Sequence, residues 1–245
     1  MAALDNLQEP LRPGLSPHAP YTIHRDLLPE ITSTARNRQL PLAIHLAESA
    51  AETELFHHGS GPFADQLYPL VGWQQHCSQF DGKSSTEVMA HAGLLSPRSL
   101  AVHGVQLSHT DLQILKRHNC ALCLCPRSND KLHVGTAPVA HFKQHGLLLC
   151  LGTDSLASND SLSLWDELRF AALLYQGVLD HEELLCMATV HGATALGLAD
   201  LTGTISQGKR ADLQVVHIDG HCSPEQLIHS AQPVATIIAG SVIQR

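Results

Sequence analysis

A chain of 245 residues, 44% of them hydrophobic, is long enough to bury one large core and too apolar to stay disordered. A formal net charge of −8 with no basic patch argues against nucleic acid or an anionic membrane as partner, and no apolar run approaches the roughly 18 residues of a membrane span. The opening MAALDNLQEPLRPG has neither the basic start nor the apolar core of a signal peptide, and the seven cysteines lie mostly in apolar runs. Both features point to the reducing cytoplasm, with the cysteines read as small buried hydrophobes.

No structure is assigned to the first dozen residues. Gly14 to Thr22 reads as a proline-rich loop leading into a helix over 25–39, whose apolar face is Leu27, Leu28, Ile31 and Ala35. Pro41 to Leu46, PLAIHL, reads as a strand, and Ser49 to His58 as a helix stopped by Gly59-Ser-Gly-Pro62. Residues 60–83 form an irregular insertion, and a short helix follows over 86–93. A second strand spans 99–104, and Ser108 with Asp111 three residues on predicts a capped helix to about His118. A third strand covers 120–126, followed by a polar turn over 127–130 and a helix over 136–145. The fourth strand, Leu147 to Leu151, ends abruptly in Gly152-Thr-Asp154. Two longer helices follow over 161–175 and 180–196, the second capped by Asp180 with Glu183. From 200 onward, glycine turns and β-branched residues predict a small β-rich layer.

Four strands that are continuous apolar runs, each followed by a helix, predict a parallel sheet covered by helices, an α/β fold. In such folds the C-terminal strand ends carry the chemistry. Here those ends offer His45, His103, Asn129 in the Ser128-Asn129 turn, and Asp154, with Glu48 three residues beyond His45. Each has a plain structural reading alone: a hydrogen-bonded histidine, a first-turn glutamate, a turn asparagine, a capping aspartate. His18 could be a rigid loop residue between two prolines. Their order on consecutive strands favours a site instead. An excess of histidine, 18 residues, makes a metal centre worth seeking.

The segments SPHAPYT, HLAE, LAVHG, CPRSN and GTDSLASNDSLSLWDELRFA, then TGTISQGKRADLQVV, resemble in that order the amidohydrolase superfamily, in its cytosine-deaminase-like and chlorohydrolase-like branch. The resemblance covers nearly all of residues 14–245. It implies a (β/α)8 barrel with one divalent metal at its mouth, zinc in most members and iron as the other candidate. By motif match His45 and Asp154 are metal ligands and Glu48 the proton shuttle. His103 orients the attacking water or polarises the scissile group, and Asp154 also accepts the water's proton. His18 and Asn129 match positions that touch substrate. The implied reaction is hydrolysis of a non-peptide carbon–nitrogen bond, deaminating a purine-like heterocycle or nucleoside of the aminodeoxyfutalosine or adenosine type. The alternatives are a chlorohydrolase of a triazine-like ring and a non-catalytic, truncated interaction subunit. The partner expected is a small heterocyclic substrate, with homo-oligomerisation left open.

The family's first strand carries a His-x-His pair that supplies two more ligands, and this sequence contains no His-x-His. The expectation is therefore the C-terminal half of a barrel over 1–199, with a β-rich segment of the family's sandwich domain over 200–245. A truncated gene or wrongly chosen start, a half that pairs with another chain and a decayed relative are the competing explanations, with the first favoured.

Overall fold

The computed structural model describes residues 12–244. The segment read as unstructured lies almost wholly outside them. Four strands, β1 (Leu42–Leu46), β2 (Ser99–His103), β3 (Ala121–Leu124) and β4 (Leu149–Leu151), form one parallel sheet in sequence order. Sequential order with parallel pairing demands a crossover after every strand. The crossovers carry α2 (Ala50–His58), a one-turn α3 (Tyr68–Leu70) and α4 (Ser85–His91) between β1 and β2. They carry α5 (His109–Arg117) between β2 and β3, then α6 (Pro126–Lys131) and α7 (Val139–Gln144) between β3 and β4. This is the α/β architecture of a partial barrel.

The two faces of the sheet differ. Leu42, Ile44, Leu46, Ala101, Leu122, Leu124, Leu149 and Leu151 point into the main core, where the helices cover them. The opposite face gathers Ala121, Cys123, Cys125 and Cys150, flanked by the partly buried Leu100, Val102 and Leu148. Cys120, Cys123, Cys125 and Cys150 are buried free thiols, as the apolar-run reading expects, whereas Cys222 is exposed. Gly152 has a packing reason: a Cβ there would sit 2.6 Å from Cys123 Sγ, so only glycine lets β4 end against that thiol.

Past β4 lie α8 (Leu164–Leu174), α9 (His181–Ala188) and α10 (Val190–Ala195). A second, antiparallel sheet of β5 (Leu213–His217), β6 (Gln232–Ile238) and β7 (Ser241–Gln244) follows, with α11 (Pro224–Ser230) between its first two strands. Ile228 of α11 is fully buried in the main core, and Arg169 Nη2 donates to the Ala231 carbonyl at 2.8 Å. Among the described residues, no helix is long and apolar enough to cross a membrane.

Several predicted elements differ in detail. The turn expected over 127–130 is helix α6, because Pro126 at its first position has its φ preset and needs no N–H partner. The helix expected over 180–196 breaks at Thr189 (φ −127°, ψ −94°), whose hydroxyl bonds back to the Leu185 carbonyl at 2.6 Å. Helix α11 lies inside the layer predicted as β-rich, announced by Ser223, which caps Gln226, and by Pro224. The first helix begins as a 3₁₀ turn, Arg25–Leu27, before α1 (Leu28–Asn37). The proline-rich loop does more than connect. Leu15 pairs in parallel with Leu42, and Ala43 N–H donates to the Leu15 carbonyl at 2.9 Å. The segment therefore extends the sheet beyond β1.

Candidate active site

His45 lies in β1, one residue before its end, on the face opposite the helices. Its Nδ1–H donates to the His18 carbonyl at 2.9 Å, and the same carbonyl accepts the His45 backbone N–H at 2.8 Å. That bond fixes the tautomer and leaves Nε2 bare, aimed at Asp154 Oδ1 3.7 Å away. The Asp154 carboxylate raises the pKa of His45 above the ordinary histidine value, against the opposing effect of burial.

His103 is reached differently. Strict alternation along β2 would place it with Ser99 and Ala101 on the helix-covered side. Its φ of +73° ends the strand in a left-handed turn and brings its ring to within 5.2 Å of His45. Nδ1–H donates to Asn129 Oδ1 at 2.8 Å. Nε2 lies 3.7 Å from Glu48 Oε1 and 3.9 Å from Asp154 Oδ2. The residue is fully buried, and Nε2 has no hydrogen-bond partner. Burial lowers its pKa, which keeps it neutral with a lone pair on Nε2.

Asp154 follows β4 with φ +58°. Ser128 Oγ donates to Oδ2 at 2.8 Å, and Ser158 bonds the same oxygen. Facing His45 first, and receiving these hydroxyls, the carboxyl is held far below the usual aspartate range despite partial burial. Glu48 stands after the turn that leaves β1, where Ala47 has φ +50°. Glu52, itself 1% exposed, accepts the backbone N–H groups of Ala47 at 2.9 Å and Glu48 at 3.0 Å. Four non-glycine residues at the site, His18, Ala47, His103 and Asp154, thus share the left-handed region, each at a cost of about 1–3 kcal/mol.

A donor atom from each of His45, His103 and Asp154 lies within 4.8 Å of the others. Two bare imidazole nitrogens and one carboxylate, one nitrogen buried with no partner, are the donor types a zinc-like ion takes. The residues present fit such an ion. Among the expected site residues, His18 stays exposed at the rim, its Nδ1 bonded to Thr22 Oγ1 at 2.8 Å and its ring 5.1 Å from that of His45. Asn129 is 1% exposed and sits behind His103, with its Nδ2 unpartnered. Sequence reasoning missed Ser128 and Ser158 as holders of Asp154 and Glu52 as holder of the Glu48 turn. Glu52 had a signal, since Ser49 and Glu52 stand at capping-box spacing.

Residues 4–243 match the amidohydrolase family. The chain belongs to the amidohydrolase family. A 5-methylthioadenosine/S-adenosylhomocysteine deaminase of Saccharophagus degradans is 36% identical over 205 residues, 81% of this chain and 41% of that one. An aminodeoxyfutalosine deaminase of Deinococcus radiodurans is 35% identical over 76% of this chain and 46% of its own length. In structure, a zinc-bound adenosine deaminase of Xanthomonas campestris superposes with a TM-score of 0.83 at 28% identity, covering 98% of this chain and 53% of that one. An atrazine chlorohydrolase of Arthrobacter aurescens, at 21% identity, TM-score 0.79 and coverage of 100% and 54%, shares the fold alone. The chain thus spans about half the length of these relatives.

Proposed function

We propose that this amidohydrolase chain carries the catalytic half of a metal-dependent deaminase acting on an adenine-type nucleoside. The observation that carries the reading is the convergence of His45, His103 and Asp154 from three strand ends, with Glu48 beside them. The named relatives act on 5-methylthioadenosine, S-adenosylhomocysteine and aminodeoxyfutalosine, which share an exocyclic amine on an electron-poor purine ring. These are the substrates we propose to test.

His45 Nε2 and Asp154 would hold the ion, zinc in our reading, with His103 Nε2 turned toward the same point. When bound, the ion activates the attacking water as a Lewis acid. Asp154 accepts the proton that water loses on attacking the ring carbon. Glu48 carries a proton to the departing nitrogen, so that one water is consumed and one ammonia released. Neutral His103, its tautomer fixed by Asn129, orients the water or polarises the scissile C–N bond. His18, exposed at the rim, contacts substrate.

Zinc-loaded protein assayed for ammonia release on those three nucleosides tests the reading, with chloride release from atrazine as the competing arm. His45→Ala and Asp154→Ala should each abolish zinc binding. Glu48→Gln should keep the zinc and lower kcat by about 10²–10⁴-fold. Zinc retained after both ligand changes would refute the assignment. A second reading rests on the sheet face carrying Leu100, Val102 and Leu148, which stay only partly buried. On that reading the chain is an interaction subunit whose open face is covered by another polypeptide segment. A well-behaved, zinc-loaded, active monomer in size-exclusion chromatography would sink it.

A further inference from the structure

On the surface, outside the candidate centre, His109 opens α5 and His145 closes α7. His145 Nε2 and His109 Nδ1 lie 3.1 Å apart. We propose that this pair is a second metal site, taking a borderline-soft divalent ion (Zn²⁺, Ni²⁺ or Cu²⁺) and clipping α5 to α7.

The separation is the first argument. Two nitrogens each about 2.0–2.1 Å from one ion stand about 2.9–3.4 Å apart for angles between square and tetrahedral, and 3.1 Å falls inside that range. The supporting bonds are the second. His145 Nδ1–H donates to the His141 carbonyl at 2.8 Å, which commits its Nε2 to a lone pair. On the other ring, the Gln113 carboxamide meets His109 Nε2 at 2.9 Å. The amide donates there, so the His109 proton sits on Nδ1 and bridges to His145. Metal binding needs only that this proton move to Nε2 while the Gln113 carboxamide turns over to accept it, with no net proton lost. Each ring then has its outer nitrogen bonded to a partner, as ligating histidines do.

Rigidity is the third argument. Leu112 and Leu115 anchor α5 in the core and Phe142 anchors α7, so the two rings are presented rather than assembled on binding. Imidazole pairs favour zinc, nickel and copper over magnesium or calcium, which prefer oxygen. On α5, the Lys116 ammonium is engaged by the carbonyl of Gly146, the residue after His145, at 2.6 Å.

Equilibrium dialysis of the full chain against Cu²⁺, with electron paramagnetic resonance of the bound ion, tests this. The His109→Gln/His145→Gln double variant, with an unchanged circular dichroism spectrum, should bind one equivalent fewer than the wild type. His145→Gln alone should lose the same equivalent, which guards against a folding defect in the double variant. Gln113→Ala should keep the equivalent but weaken it by about 10–100-fold. His45→Ala/Asp154→Ala should retain it, with coupling to two nitrogens in the spectrum, so this site stands or falls apart from the catalytic reading. Equal stoichiometry and affinity in wild type and double variant would overturn the proposal.

Discussion

Glu52 shows what a single buried carboxylate does for the site. It satisfies the backbone donors of Ala47 and Glu48 and thereby holds the left-handed turn that aims the proposed proton shuttle. Burial raises its pKa above the ordinary glutamate value. A raised folded value means its contribution to stability is full below the unfolded pKa of about 4.3 and fades as pH rises through the folded value. Glu52→Gln sets an amide N–H₂ against one of the two backbone donors, which should cost about 1–3 kcal/mol. Because the neutral amide carries no buried charge, that cost should shrink as pH rises. Urea midpoints at pH 4.5 and pH 8 measure it, and a gap that widens with pH would contradict the sign. Sequence spacing alone marked His45, Glu48, His103 and Asp154, because the ends of apolar runs are visible in one dimension. It could not show the φ of +73° that swings His103 across the sheet, nor that Ser128 and Ser158 converge on one carboxylate oxygen, because those depend on backbone geometry and long-range packing.

At the scale of elements, helix starts were the most legible features because caps are local chemistry. Ser108 with Asp111 and Asp180 with Glu183 form the capping boxes their spacing predicts. Ser108 also donates its hydroxyl to Asp111 Oδ2 at 2.6 Å, and Asp111 is 3% exposed and bonded to Ser84 of the neighbouring α4 cap as well. The two caps thus share one buried carboxylate. Ser108→Ala should therefore destabilise the chain toward the upper end of about 0.5–2 kcal/mol for cap loss. A lower urea midpoint at constant slope checks this, and no shift would show that Asp111 caps α5 unaided. Elements escaped prediction where tertiary packing overrode local pattern. Pro126-Arg-Ser-Asn reads as a turn by composition, yet Pro126, Ser128 and Asn129 are buried in α6, supporting Asp154 and His103 from behind. The break at Thr189 likewise turns α9 into α10 inside a segment whose sequence reads as one helix.

The main sheet has one face covered by helices and one covered only in part. Helices cover the first, while the second carries partly buried Leu100, Val102 and Leu148. A separate apolar groove of about 810 Å³ runs between α8–α10 and the second sheet, past Trp165, Leu196, Ile205 and Leu213. The candidate centre joins the ends of β1, β2 and β4, so an ion there would add a tie between three β/α units beyond the sheet pairing and the cap they share at Asp111. A ligand that binds only the folded state stabilises it by mass action, about 2.7 kcal/mol at a hundredfold excess over Kd. For a chain of this length that corresponds to a rise in Tm of about 5–10 °C. The His109→Gln/His145→Gln background isolates the centre, because any clip between α5 and α7 is then gone. In that background zinc should raise Tm by this amount. The further change His45→Ala should remove the rise, because His103 and Asp154 would then leave β1 untied. A rise that survives His45→Ala would place the stabilising ion elsewhere in the fold.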